Sequence, residues 1–294
     1  MGMAGGSVSG MVESVDPMVN LFELEATNEP TRFVWTPPNH VLTPAHSVQG
    51  GAGLGVATAA MESVTGRPTV WVTAQYLSFA QGTAPIDVDV TVEVAGRNTA
   101  QARCTLSRGG REILTAHSAL GQRDTAIDGI WCAPPVVASP EDCPRYRFFE
   151  AGGGHLGDRV EHRLASGRQL DEIVGGVRGD GSFAVWIRVW TEADHLVTVP
   201  ELAFIGDFMP LGFADAIGEP YAGNSVDNTL RVGHATRTGW VLLSVHIQQV
   251  ANGFGFGRAE LWAQDGTLLG EVSQTSILRR HDQLRARNST QQVS

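Results

Sequence analysis

The sequence predicts an α+β protein with two similar halves, each consisting of a long helix wrapped by an antiparallel β-sheet. Four consecutive segments of the first half alternate apolar and polar residues, which is typical of half-buried strands. A long Ala-rich segment precedes these four segments and predicts a helix. After a proline-rich break the same order of elements recurs, so the chain is predicted to contain a duplicated helix-and-sheet unit.

In the first half, a strand is predicted at 31–36 and a helix at 47–64. The helix is expected to stop at the Gly-then-Pro signal of residues 66–68. Its glycines, which lack Cβ, let another backbone approach closely. The four strands of the meander are predicted at 68–79, 86–95, 99–107 and 112–120.

In the second half, an apolar helix is predicted at 202–216, and the dipeptide Asp265-Gly266 predicts a tight hairpin. The hairpin around Gly266 resembles the last hairpin of the first half, around Gly110, which supports a duplication. The second-half strands are predicted at 147–151, 182–191, 224–232, 240–250, 255–264 and 268–278.

A chain of 294 residues exceeds the usual size of a single core, so two domains are expected. The proline-rich stretch between the halves is typical of a linker. The predicted divisions are a disordered leader (1–20), an N-terminal domain (21–124), a linker (125–146), a C-terminal domain carrying the catalytic residues (147–282) and a flexible tail (283–294).

Composition excludes several classes of function. The formal net charge of −10 argues against a nucleic-acid partner, which would require a basic surface. All 21 basic residues are arginine, so Schiff-base chemistry and lysine-dependent phosphate loops are excluded. A phosphate-bearing ligand must then be held by arginines, backbone N–H groups or helix N-termini. No apolar run is long enough for a membrane span.

Three cysteines without CxxC spacing argue against disulfides and against a zinc site, and they favour a cytoplasmic location. The nine histidines are dispersed without the spacing of metal ligands. We therefore expect neither a metal nor another cofactor.

Several motifs resemble those of the type II acyl-CoA thioesterases, which are tandem (double) hot-dog proteins. In the first half these are the glycine-rich segment at 49–55 and the segment at 115–118. In the second half they are Ala203-Phe-Ile-Gly-Asp207, Ser225-Val-Asp227 and Val272-Ser-Gln274, followed by Arg279-Arg-His281. The resemblance covers roughly residues 33–281.

The resemblance implies that Asp207, Ser225 and Gln274 hold and activate a hydrolytic water molecule. Serine stands at 225 where the family typically has threonine, which keeps the hydroxyl group and loses the methyl group. A thioester is electrophilic, so hydrolysis needs a positioned water, a base for its proton and donors for the oxyanion. Asp207 is predicted near the start of the second helix, where N–H groups could receive the thioester oxygen.

Other residues are expected to support this site. Asp227 lies two residues beyond Ser225 and is expected on the same strand face, as a support for the catalytic residues. The weaker substrate-binding candidates are Gly50, Gly51, Arg279 and Arg280, with Arg145 and Arg147 as further candidates for the coenzyme A phosphates.

The predicted reaction is hydrolysis of acyl-CoA to a free fatty acid and CoA by an Asp-activated water. Two alternatives stay open: a hot-dog enoyl-CoA hydratase-like enzyme and a non-catalytic acyl-CoA-binding protein. The expected partners are the acyl-CoA substrate and further copies of the chain, in a dimer or tetramer.

Overall fold

A computed structural model of the chain describes residues 22–148 and 153–280. The predicted leader (1–20) and tail (283–294) lie outside the described residues. The strand predicted at 147–151 lies partly outside them, and its two described residues, Arg147 and Phe148, belong to no strand.

The described part of the first half contains one long helix and six strands. The helix, α1 (Gly50–Thr65), begins where the side chain of Gln49 accepts a 2.8 Å hydrogen bond from the N–H of Ala52. It ends at Gly66, whose φ of 63° lies in the left-handed region that glycine tolerates. The strands are β1 (Glu25–Ala26), β2 (Arg32–Trp35), β3 (Thr69–Tyr76), β4 (Ile86–Ala95), β5 (Thr99–Arg108) and β6 (Arg111–Gly121).

The described part of the second half contains three short α-helices and eight strands. The helices are α2 (Leu156–Arg159), α3 (Val199–Gly206) and α4 (Gly212–Ile217). The strands are β7 (Glu161–Ser166), β8 (Ser182–Arg188), β9 (His195–Leu196), β10 (Tyr221–Val232), β11 (Arg237–Thr238), β12 (Val241–Ala251), β13 (Phe254–Ala263) and β14 (Leu268–Arg280).

Twelve of these strands form one antiparallel sheet in the order β1-β2-β4-β5-β6-β3-β10-β14-β13-β12-β8-β7. The order β2-β4-β5-β6-β3 in the first half corresponds to β8-β12-β13-β14-β10 in the second. The two halves join where β3 pairs with β10, with Val72 opposite Leu230. This internal repetition confirms the predicted α+β class and the predicted tandem arrangement of a helix wrapped by a sheet.

The helix predicted at 202–216 is wrong in its bounds. It begins earlier, at Val199, where Thr198 and Glu201 form a capping box. It stops at Gly206, and the chain continues as a 3-10 turn at Met209–Leu211 before α4. Proline has no N–H to donate and its ring collides with the carbonyl four residues earlier, so Pro210 prevents one continuous helix.

Helices α1 and α3 pack antiparallel because glycines of α1 face α3. A Cβ at Gly51 would lie 2.7 Å from the carbonyl oxygen of Ala203, and a Cβ at Gly55 would lie 2.8 Å from that of Pro200. Real Cβ atoms do not approach so closely, so both positions require glycine. Because of this packing, the N-terminal end of α1 lies against the C-terminal end of α3.

The proline-rich segment predicted as a linker contains no helix or strand among the described residues 122–144. Its middle part is solvent-exposed, with Trp131 at 89% exposure. Its later part packs on the second half: the indole N–H of Trp186 donates to the carbonyl of Ala138 at 3.0 Å, and Cys143 is buried beside Trp240.

Candidate active site

The C-terminal end of α3 presents the carboxylate of Asp207 to the N-terminus of α1. Oδ2 of Asp207 accepts a 2.8 Å hydrogen bond from the N–H of Gly51. The Gln49 side chain crosses the same junction, since its Nε2 donates to the Phe204 carbonyl at 3.3 Å. Asp207 was predicted near a helix start of its own half. It lies instead at the end of α3, and the helix N-terminus beside it belongs to the other half.

Strands β10 and β14 bring the two other predicted site residues to the same carboxylate. The hydroxyl of Ser225 donates to Oδ1 of Asp207 at 2.9 Å, and Nε2 of Gln274 donates to the same oxygen at 2.6 Å. Nε2 of Gln274 also donates to Oγ of Ser225. The structure therefore brings together three side chains that are far apart in sequence.

A β-bulge in β10 decides which neighbours of Ser225 face the site. Ser225 lies opposite Ser276 and Asp227 lies opposite Thr275, so Val226 is an extra residue on this strand. The bulge reverses the alternation that was expected to put Asp227 on the face of Ser225. Asp227 instead accepts a 2.8 Å hydrogen bond from the N–H of Thr275. Its expected placement on the face of Ser225 is therefore wrong.

The bulge turns Asn228 toward the carboxylate instead. Asn228 is fully buried and lies opposite Gln274 in the sheet. Its Nδ2 donates to Oδ1 of Asp207 at 3.5 Å, a long and weak hydrogen bond. Oδ1 of Asp207 thus faces three donors, whereas Oδ2 faces the N–H of Gly51.

Burial raises the pKa of Asp207 above that of an ordinary aspartate. Hydrogen bonds from Gly51, Ser225, Gln274 and Asn228 oppose this effect, because they stabilise the charged form. The sequence left the direction of this shift open. A raised pKa makes the carboxylate a stronger base than an exposed aspartate.

The two candidate glycines, Gly50 and Gly51, have different environments. A Cβ at Gly51 would lie 2.6 Å from Cβ of Asp207, so this glycine permits the approach of the carboxylate. Gly50 borders the cavity described below, and a Cβ there would lie 3.1 Å from Oδ2 of Asp207 and 3.0 Å from the ring of Tyr76.

Asp207 and Ser225 border a cavity of about 1820 Å³ between the two halves. Gln274 is 2% exposed and lies behind them. One part of the cavity wall is apolar: Leu156, Val160, Leu170, Phe208 and Leu211. A cavity with this wall next to a basic carboxylate could hold an acyl chain with its reactive carbon beside Asp207.

Arginines surround the cavity. Among the described residues, six contribute to its wall: Arg111, Arg145, Arg147, Arg159, Arg188 and Arg279. Arg188 forms a 2.6 Å ion pair with Glu161, and Arg145 lies 3.6 Å from the same carboxylate. Arg280 is absent from this wall and pairs with Glu219 at 3.1 Å, so its placement argues against its candidate role in substrate binding.

No group of three or more His, Cys, Asp or Glu side chains in the described parts of the chain could hold a metal ion. No helix in these parts is long and apolar enough to cross a membrane.

Family models identify both halves. Residues 40–121 match the N-terminal domain of acyl-CoA thioesterases, and residues 140–278 match their C-terminal domain. These two matches together span more than half of the chain. The chain belongs to the acyl-CoA thioesterase family. This thioesterase is therefore a thioester hydrolase, which confirms the predicted family and the prediction of an enzyme.

Solved structures agree with this assignment. A protein from Novosphingobium aromaticivorans, provisionally described as a thioesterase, is 30% identical, with a TM-score of 0.76 over 87% of this chain and 98% of that one. A hot-dog protein of unknown function from Alicyclobacillus acidocaldarius is 19% identical, with a TM-score of 0.77 over 89% and 97%. An acyl-CoA thioesterase II from Mycobacterium marinum is 17% identical, with a TM-score of 0.69 over 90% and 98%. The last two show the fold, which is the hot-dog fold. A comparison with curated protein sequences gave no significant match.

Only tertiary structure reveals two further neighbours of the Asp207 carboxylate in this thioesterase: Tyr76 and Asn228. The bulge that turns Asn228 inward leaves no signal in the sequence. Tyr76 lies at the end of β3, in the other half of the chain. Its hydroxyl is buried, and this burial together with the nearby charge of Asp207 raises its pKa well above the ordinary value. Tyr76 is therefore a neutral hydroxyl group beside the carboxylate.

The described part of the first half of this thioesterase, from residue 22 onward, has no equivalent set of side chains. Ser118, which aligns with Gln274 in the hairpins, is buried and donates a 2.8 Å hydrogen bond to the carbonyl of Trp71. At the N-terminus of α1, Gln49 supplies the cap and the first turn contains no acidic residue. The contribution of the first half to the site is therefore the N-terminus of α1 and the ring of Tyr76.

Proposed function

We propose that the protein hydrolyses acyl-CoA to a free fatty acid and CoA, with Asp207 as the base that activates water. The observation that carries the proposal is the convergence of Ser225, Gln274 and Gly51 on this one carboxylate at the wall of the cavity.

The hydrogen-bonding pattern supports a division of labour between the two carboxylate oxygens. Oδ1 accepts from Ser225 and Gln274, with Asn228 further away, and these contacts fix the orientation of the carboxylate. Oδ2 accepts only the N–H of Gly51 among the described residues. A carboxylate oxygen has two lone pairs, so Oδ2 can still accept a proton from water.

In the proposed reaction, a water oxygen attacks the thioester carbon while its proton passes to Asp207. A tetrahedral intermediate forms, the C–S bond then breaks, and the proton on Asp207 passes to the CoA sulfur. The products are the carboxylic acid and the free thiol. General-base help of this kind is worth about 10²–10⁴ in rate.

The N-terminus of α1 supports stabilisation of the oxyanion. Amide protons in the first turn of a helix have no acceptor within the helix, and the helix dipole favours negative charge at that end. The N–H of Gly50 belongs to this turn, and Gly50 borders the cavity. Gly50 belongs to the first half of the chain, 156 positions before residue 206, which is the last residue of α3. One such donor is worth about 10²–10³ in rate.

Arginines around the cavity support binding of the CoA phosphates. Arg279 is the strongest candidate, because it borders the cavity and lies on β14, the strand that also carries Gln274. Arg145 and Arg147 border the same cavity. Guanidinium groups are the only cationic side chains, other than a protonated histidine, that this lysine-free chain offers to a phosphate.

We further propose a cytoplasmic location and assembly into a dimer or tetramer. The three free cysteines fit a reducing compartment. Large apolar side chains on the sheet are exposed, among them Val94 and Phe254, and a second copy could cover them. Light scattering on the purified protein tests the assembly.

Release of free thiol from a series of acyl-CoA chain lengths tests the proposed reaction. Asp207→Ala should lower kcat by about 10²–10⁴ while acyl-CoA still binds. Asp265→Asn, in an exposed hairpin, is the matched control and should keep full activity. Undiminished turnover in Asp207→Ala would exclude Asp207 as the base. Hydration of an enoyl-CoA, or binding without turnover, would favour one of the two alternatives.

A further inference from the structure

The first residues of β10 lack a neighbouring strand on one side. Strand β14 pairs with β10 along its whole length. On the other side, β3 pairs with β10 only from Asp227 onward, because β3 ends at Tyr76. The chain beyond β3 turns away from β10, since the N–H of Leu77 donates to the carbonyl of Ile113 in β6 at 2.9 Å. Residues 221–225 therefore form a free strand edge, which we call the β10 edge.

The alternation of ladder hydrogen bonds decides which backbone groups point to the free side. The N–H of Leu278 donates to the carbonyl of Gly253, which precedes β13, so the backbone groups of Leu278 point away from β10. Gly223 lies opposite Leu278, and its own N–H and C=O therefore point away from β14. The same alternation applies to Ser225. Among the described residues, no loop, helix or side chain forms a hydrogen bond with the backbone of Gly223 or Ser225 on this side.

The β10 edge is accessible from the cavity. Residues 222–225 all border the cavity, and Gly223 has no side chain, so its backbone itself forms part of the wall. Every residue from 221 to 227 is partly exposed, whereas Asn228, which β3 covers, is fully buried. A free edge of this kind presents N–H and C=O groups that a ligand can pair with.

The β10 edge connects the candidate base with the candidate phosphate-binding residue. At one end, the hydroxyl of Ser225 donates to Oδ1 of Asp207 at 2.9 Å. At the other end, Ala222 lies opposite Arg279, which borders the same cavity. In an acyl-CoA, the pantetheine arm joins the thioester to the phosphates. A substrate with its thioester carbon beside Asp207 and its phosphates at Arg279 therefore places this arm along the β10 edge.

We infer that the β10 edge binds the pantetheine arm of acyl-CoA through backbone hydrogen bonds, in the way that a sheet binds an added strand. Each amide of the arm has one N–H and one C=O, the groups that an extended peptide offers to a free strand edge. Gly223 and Ser225 offer the complementary C=O and N–H groups two residues apart. The inference rests on the proposed function, since it assumes that the thioester carbon lies beside Asp207.

The first experiment changes the arm and keeps the wild-type protein. It compares kcat/KM for acyl-pantetheine with kcat/KM for an analogue of the same acyl chain in which esters replace the amides of the arm. An ester has no N–H to donate and accepts hydrogen bonds more weakly, while the thioester itself is unchanged. The loss of one hydrogen bond should lower kcat/KM about two- to tenfold.

The second experiment changes the edge. Gly223→Pro removes the N–H that faces the cavity and leaves the ladder with β14 its hydrogen bonds, a position at which an edge strand tolerates proline. Gly223→Ala is the matched control: it keeps the N–H, and its Cβ also lies 2.8 Å from Cβ of Ser276 and 3.2 Å from Cβ of Pro210.

The two variants should differ only with substrates that carry the arm. For acyl-pantetheine, we expect kcat/KM in Gly223→Pro to be about two- to tenfold lower than in Gly223→Ala. An S-ethyl thioester of the same acid, which has no arm, should be hydrolysed equally by both variants. Replacement of the amides by esters should also matter less in Gly223→Pro than in Gly223→Ala, because one partner is already missing.

Equal kcat/KM of the wild type for the amide and the ester forms of the arm would overturn the inference. An equal loss in Gly223→Pro for acyl-pantetheine and for the S-ethyl thioester would also overturn it, because proline would then act on the fold alone. If Gly223→Pro does not fold, the comparison of amide and ester arms on the wild type decides. If the wild type hydrolyses no thioester, the proposed function fails separately. Calorimetric binding of non-hydrolysable thioether analogues with amide or ester arms then decides on the β10 edge.

Discussion

The N–H of Gly51 lies 2.8 Å from Oδ2 of Asp207, and this hydrogen bond joins the first residues of α1 to the last turn of α3. The two residues are 156 positions apart and belong to different halves of the chain. Each half therefore supplies one side of the candidate active site: the second half its carboxylate, and the first half the positive end of a helix dipole.

Substitution of Gly51 should affect both stability and activity. The added Cβ of Gly51→Ala would lie 2.6 Å from Cβ of Asp207 and 2.7 Å from the Ala203 carbonyl, so α1 and α3 must separate. Overpacking of this kind costs about 1–3 kcal/mol. We expect urea unfolding to show this loss of unfolding free energy. We also expect kcat to fall, because the carboxylate of Asp207 moves when α1 and α3 separate.

Gly53→Ala is the matched control in the same helix. Its Cβ would meet only side-chain atoms of Leu114 and Leu106, at 3.6 and 3.8 Å, which are ordinary contacts. Alanine favours a helix interior over glycine by about 1 kcal/mol. Gly53→Ala should therefore keep its activity and be as stable as the wild type or more so. Equal effects of both substitutions would contradict the close-approach argument.

Activity should decline in acid as Asp207 takes up a proton. A general base works only when deprotonated, so kcat/KM falls as the pH drops through the pKa of Asp207. Burial raises that pKa, so the decline should begin above the range of an ordinary aspartate, whose pKa is about 3.9. A pH-rate profile of thiol release measures this.

Gln274→Ala should move the acid decline to higher pH. The Gln274 amide donates to Oδ1 of Asp207 and stabilises the charged carboxylate, so its loss raises the pKa further. A merely structural role would lower activity at every pH without moving the profile. An unmoved profile would therefore contradict the assignment of Gln274 as a positioning residue for the carboxylate.

Substitution of Asp227 and substitution of Asn228 should have different effects on kcat, although the two residues are adjacent in sequence. Asp227 accepts from the N–H of Thr275 and does not contact the Asp207 carboxylate. Asp227→Asn keeps an acceptor oxygen, so we expect a change in kcat below about twofold. Asn228→Ala should lower kcat and raise the pKa seen in the pH-rate profile. The reverse result, a lower kcat in Asp227→Asn and an unchanged kcat in Asn228→Ala, would instead support the alternation expected from the sequence.

Arg279 and Arg280 form a similar matched pair for CoA binding. Arg279→Leu should raise KM for acyl-CoA about tenfold, since a hydrogen bond to a charged group contributes about 1.5–3 kcal/mol. Arg280 forms a half-exposed ion pair with Glu219, so Arg280→Leu should change KM little. Acyl-pantetheine, which lacks the nucleotide phosphates, should show no difference between wild type and Arg279→Leu.

The sequence predicted most elements because their signals are local. The helix predicted at 47–64 is α1 at Gly50–Thr65, where the Gly66 stop lies next to the helix in sequence. The strand predicted at 99–107 is β5 at Thr99–Arg108. The sequence missed β7, and it merged α3 with α4, although Pro210 stands between them.

The sequence by itself determined the duplication, the alternating strands and the chemical types of the site residues, since these depend on neighbours in the chain and on motifs resembling a known family. Only the tertiary structure decided that Asp207 faces the N-terminus of α1, and that a bulge in β10 turns Asn228 instead of Asp227 toward the carboxylate. These relationships depend on strand register and on how closely two glycine-bearing backbones approach, and both are set by packing between segments that are distant in sequence.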